Sequence, residues 1–115
     1  IQASKFLERS LLLQKEIGLS SNDLLQTTSF LYFAYQRIGK QFDIEKLFNL
    51  IKITKNIDFS INFNLYLLLE DKNYLLTAYN QLNQKSILMD GTIKKDFLNL
   101  PLLKKIIFEY QKIFN

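Results

Sequence analysis

Slid against itself by 31 residues, the sequence sets apolar side chains on apolar side chains in five columns. Ile44, Leu75 and Ile106 align, as do Phe48, Tyr79 and Tyr110, and Ile51, Leu82 and Ile113. Upstream in each block Tyr35, Tyr66 and Phe97 align, and so do Ile38, Leu69 and Leu100. Self-similarity at a fixed period of this size is the mark of a chain built from one supersecondary unit, each hiding its apolar face against the next. Within a block the first three columns stand four and three residues apart and so line one side of a helix. The other two stand three apart on an earlier helix.

Break signals fall between the paired helices. "GKQFD" holds Gly39, "EDKN" offers Asn73 as an N-cap, and Pro101 suits the first turn of a helix. Asp43 precedes Ile44, Leu47, Phe48 and Ile51, an N-cap followed by a one-sided apolar face. Further upstream, Ala3 to Ile17 carry helical spacing that ends at Gly18, and Ser20 with Asp23 forms a capping-box pattern ahead of "FLYFAYQRI". The expected fold is all-α: stacked helix-turn-helix repeats forming a short right-handed α-solenoid. Its parts are residues 3–18 as the second helix of a partial repeat, then repeats at 22–56, 58–88 and 92–115. The end helices lack polar caps, so flanking repeats in a longer chain, or a protein partner, are expected there.

One stretch speaks against this. "NIDFSINFNLYL", residues 56–67, alternates apolar and polar side chains with the period of a half-buried strand. A hairpin turning at Thr54, Lys55 and Asn56, with Asn56 left-handed, competes with a helix capped by Ser60 or Asp58. The repeat register favours the helix.

Composition narrows the chemistry. Cysteine, histidine and tryptophan are absent from the 115 residues, which removes disulfides, thiolate and imidazole catalysis and the soft metal ligands. No catalytic residue, metal site or cofactor is expected, and an enzyme is the least favoured reading. Valine is also missing while isoleucine, lysine, asparagine and phenylalanine abound, as codon bias from an A+T-rich genome produces. A net charge of +4 permits nucleic acid without demanding it. No span of about 20 apolar residues is available to cross a membrane.

The block at residues 27–58, "TTSFLYFAYQRIGKQFDIEKLFNLIKITKNID", resembles a pentatricopeptide repeat. Ala34 with Tyr35, then Gly39, Leu47 with Phe48, and Ile51 stand where that family ends its first helix, turns, and packs its second. Later blocks keep Tyr66, Tyr79 and Leu82, then Phe97, Tyr110 and Ile113; the proline-aspartate pair that joins repeats in the family is missing at "KNID" and "ILMD". Tetratricopeptide repeats share the same helical-hairpin physics. The first resemblance implies a non-catalytic module contacting single-stranded RNA or an RNA-rich organellar assembly in a mitochondrion; without the resemblance a cytoplasmic place is expected. The second implies a protein–protein scaffold.

By that resemblance the base-reading positions are Ser29 and Ser60, with Gly91 in the third block, and Asn56, Asp58 and Asp90 at the junctions. Helix capping explains the same residue types without a ligand. Lys94, Lys95, Lys104 and Lys105 form the densest basic set, suited to RNA phosphates or to a solvated face. The aromatic run Phe30, Tyr32, Phe33 and Tyr35 reads more readily as core than as a stacking platform.

Overall fold

A computed structural model describes residues 4–5, 7–10, 12 and 21–114. Among them every regular element is a helix and none is a strand. Six helices are complete: α1 (Ser21–Arg37), α2 (Ile44–Ile53), α3 (Phe59–Leu69), α4 (Lys72–Ile87), α5 (Gly91–Leu98) and α6 (Pro101–Phe114). Of the helix expected over 3–18, the described residues are helical, while Gly18 and the Ser20 cap lie outside the description. The chain divides into two compact units, Ile1–Ile57 and Asp58–Asn115.

In the first unit α1 and α2 form an antiparallel hairpin around Leu25, Leu31, Tyr32, Tyr35 and Leu47. Its turn is a Schellman motif. Gly39 takes φ +76, the Gly39 N–H donates to the Gln36 carbonyl at 3.3 Å, and the Lys40 N–H donates to the Tyr35 carbonyl at 2.9 Å. A Cβ is disfavoured in that left-handed conformation, which is why glycine stands there. Asp43 then starts α2, its carboxylate accepting from the Glu45 and Lys46 N–H groups. Tyr32 packs against Phe42 in this turn with ring centroids 4.7 Å apart.

The second unit is built on α4. Helix α3 lies along one side of it and α6 along another, with α5 bridging from α4 to α6. Phe63, Leu75, Ala78, Leu82 and Ile106 form the buried core, with Phe59, Tyr66, Tyr79, Leu98, Leu102 and Ile107 closing over it. The alternating segment is therefore helix from Phe59 to Leu69. Asn56 does adopt the left-handed conformation, φ 58, but in the connection before α3 and not in a hairpin. Five consecutive residues, Ile61 to Leu65, are buried. A helix buried over most of its girth shows no single apolar stripe, and that hides the 3.6-residue period; Asn62 and Asn64 are buried with their apolar neighbours, the Asn62 amide donating to Gln81 Oε1 at 2.9 Å.

Two details of the turns differ from expectation. Asp71, not Asn73, caps α4, and the Asn73 N–H donates to its carboxylate at 3.0 Å. Ile38 and Leu100, assigned to first helices by their column, sit in the turns after α1 and α5 and are about half exposed. Pro101 does open α6, and the Leu100 carbonyl accepts from the Lys104 N–H at 3.0 Å.

Candidate nucleic-acid interface

The residues singled out for base reading fall into three environments. Ser29 is the ninth residue of α1 and fully buried, its hydroxyl donating to the Gln26 carbonyl at 3.0 Å. The expectation that it lies early in a first helix fails because α1 begins at Ser21, and the core position offers a base no surface. Ser60 does stand in the first turn of α3. Its hydroxyl donates to Asp58 Oδ1 at 2.6 Å, and that same oxygen accepts the N–H groups of Ser60 and Ile61 at 3.0 and 3.1 Å. Asp90 plays the equivalent part for α5, accepting from the Ile93 N–H at 3.1 Å. Both carboxylates thus satisfy free N–H groups at helix starts. Asn56 is exposed in the connection between α2 and α3, and Gly91 opens α5.

The basic residues are placed differently. Lys94 and Lys95 project from α5, Lys104 and Lys105 from α6, and all four are exposed. Among the described residues none of their ammonium groups meets a carboxylate. Other cations are engaged: Lys40 sits 3.6 Å from Glu8 and over the Tyr35 ring, Arg37 over Phe33, and Lys85 over Phe59.

Sequence periodicity found the tyrosine column but not what it does. Tyr35 and Tyr66, 31 residues apart, each donate a hydroxyl hydrogen bond to a glutamate, Tyr35 to Glu8 and Tyr66 to Glu109. Burial, and then the hydrogen bond to Glu8, push the Tyr35 phenol up to about 12. The same causes raise Tyr66. Each tyrosine lines an open hollow. One of about 370 Å³ in the first unit is also lined by Leu31, Tyr32 and Phe42, and one of about 600 Å³ in the second by Leu67, Lys72 and Ile113. Glu8 and Glu109 bear no relation to the 31-residue register, so no periodic signal marks them.

Neither hollow gathers a nucleophile with a base. Among the described residues no three acidic side chains converge as metal ligands would, and no helix is long and apolar enough to cross a membrane. Comparison with protein-family models, curated proteins and solved structures finds no match for this chain.

Proposed function

We propose that the chain is a pentatricopeptide-like binding module whose hairpins continue as a short solenoid and whose second unit contacts single-stranded RNA through a local set of lysines. The observation that carries this reading is the set of exposed, uncompensated lysines at 94, 95, 104 and 105. Lysines held by neighbouring carboxylates are already neutralised; these are left to meet phosphates. The solenoid part draws support from the packing of α4 on α6, the second helices of successive 31-residue blocks. Asp58 and Asp90 act as caps in this reading, and Ser29 as core.

The test is fluorescence anisotropy of pooled single-stranded RNA with the whole chain at low salt, followed by a salt titration. Binding that weakens steeply as salt rises is expected. Absence of binding at low salt removes the proposal. A protein scaffold is the second reading, favoured by Ile87 and Leu88 at the end of α4, which are 72% and 89% exposed. Adjacent apolar side chains in water are a feature of protein-contact surfaces. On that reading a partner protein co-purifies with the chain, and Ile87→Ser with Leu88→Ser releases it.

A further inference from the structure

Helix α6 buries Leu103 and Ile106, and the opposite side of the helix carries Phe108, 65% exposed. Lys104 and Lys105 precede it by four and three residues and Lys112 follows it by four, so all three lysines neighbour the ring across one helical turn. All three are exposed. The one carboxylate of the helix, Glu109, is turned to its flank and accepts the Tyr66 hydroxyl at 2.9 Å. Among the described residues no hydrogen bond, ion pair or ring contact engages Phe108 or these lysine side chains.

We infer that the solvent face of α6 is a contact surface for single-stranded RNA, on which Phe108 stacks against one base while Lys104, Lys105 and Lys112 neutralise the flanking phosphates. The inference rests on the RNA reading above and gives it a place and an anchoring residue. A lone aromatic in a frame of cations is the arrangement by which sequence-tolerant single-strand binders hold their ligand: every base has a face to stack, and the backbone supplies the charge. Lys104 and Lys112 lie about 6 Å to either side of Phe108 along the axis, within reach of phosphates either side of one unstacked base. Two other occupants fit less well. Protein interfaces are depleted of lysine at their centres. Insertion into an anionic bilayer needs a broad apolar face, whereas this one has a single large apolar side chain at its centre.

The experiment compares the whole chain with Phe108→Ala, with Phe108→Trp, and with Lys104→Gln/Lys105→Gln/Lys112→Gln. The probe is fluorescein-labelled oligouridylate, and circular dichroism melts check that each variant is folded. Because these side chains are exposed, the melts are expected to match. Loss of one stacked base predicts on the order of tenfold weaker binding for Phe108→Ala, with affinity kept by Phe108→Trp. The triple variant is expected to lower the slope of log affinity against log salt by about 2. Oligouridylate binding with unchanged affinity in Phe108→Ala and unchanged slope in the triple variant overturns this inference and leaves the RNA reading standing. No binding by the parent chain overturns both. Phe108-dependent binding to phosphatidylserine vesicles or to a polyglutamate peptide, with none to oligouridylate, assigns the face to a membrane or a protein and overturns it as well.

Discussion

Tyr79 and Tyr110 lie face to face, their ring centroids 3.6 Å apart and their planes within 2° of parallel. They occupy one column of the 31-residue register, so the repeat spacing is realised as a physical contact between α4 and α6. An eclipsed sandwich is not the arrangement that aromatic quadrupoles favour, so the stack draws mainly on excluding water from two ring faces. Each ring is half-buried. Tyr79→Ala and Tyr110→Ala are each expected to destabilise the second unit by about 1.5–2.5 kcal/mol, roughly half the cost of truncating a buried aromatic. The double mutant should show a coupling of only about 0.5 kcal/mol, at the low end for aromatic pairs. Urea denaturation of the four proteins measures it.

Ile106 is the fully buried contribution of α6 to the core around Phe63, Leu75, Ala78 and Leu82. Truncation to alanine leaves a cavity where three helices meet, and a loss of about 2–5 kcal/mol is expected; Ile106→Val should cost about 0.5–1.5 kcal/mol. Equal losses in the two variants would mean that α6 is not seated on α4. Denaturation midpoints, compared at constant m-value, distinguish these results.

Asp58 holds the start of α3 through one oxygen that accepts three hydrogen bonds. Asp58→Ala is expected to cost about 1–2 kcal/mol, while Asp58→Asn keeps the acceptor and costs little. The same pair of variants separates capping from ligand reading. If Asp58→Asn alters RNA affinity with the melting temperature unchanged, the residue also faces the ligand.

Glu70 ends α3 in the left-handed conformation, φ 56, with its N–H donating to the Tyr66 carbonyl at 2.8 Å. A residue with a Cβ is strained there by about 1 kcal/mol, and glycine is not. Glu70→Gly is therefore expected to raise stability by up to about 1 kcal/mol, in contrast to most surface glycine substitutions. A lower melting temperature would show that the Glu70 side chain contributes more than its backbone costs.

Much of this fold could be read in the chain before any coordinates. Asp43, Gly39 and Pro101 mark helix ends by local stereochemistry alone, and they function where they stand. The columns through Leu75, Leu82 and Ile106 report burial because α4 is covered by α3 on one side and α6 on another. The same columns mislead at their edges. Phe48 is 43% exposed, and Ile38 and Leu100 fall in turns, because an apolar residue at a repeat position is buried only if a neighbouring helix covers it. Ser29 misled for a related reason: a small polar residue looks alike at a helix start and in a tightly packed core. Phe108 was legible in part: two residues past Ile106, it falls opposite the stripe of Ile106, Tyr110 and Ile113, although spacing alone gives it no function.

Tyr35 and Glu8 tie a residue near the beginning of the chain to α1, and their ionisations set the pH range over which that tie holds. Glu8 lies below the ordinary carboxylate value, first because Tyr35 donates to it and then because Lys40 is close. A lowered carboxylate stabilises the folded state above its unfolded value, and the contribution disappears as pH falls through the lowered one. The phenol behaves in the opposite sense. Its value is raised to about 12, so the folded state holds the proton more tightly. Its contribution is complete below the usual tyrosine value near 10 and disappears as pH climbs toward 12. The expected stability profile of the first unit is therefore a plateau between the two titrations with a fall on each side. In Tyr35→Phe the alkaline fall should shrink, tyrosinate absorbance should lose one late-titrating group, and the acid fall should shrink too, because Glu8 no longer gains a donor on folding. In Glu8→Gln the acid fall should shrink, and the Tyr35 phenol should ionise earlier, by as much as the lost carboxylate contributed beyond burial. An unchanged tyrosinate titration in Glu8→Gln would mean that burial alone raises Tyr35 and that the hydrogen bond adds nothing to it.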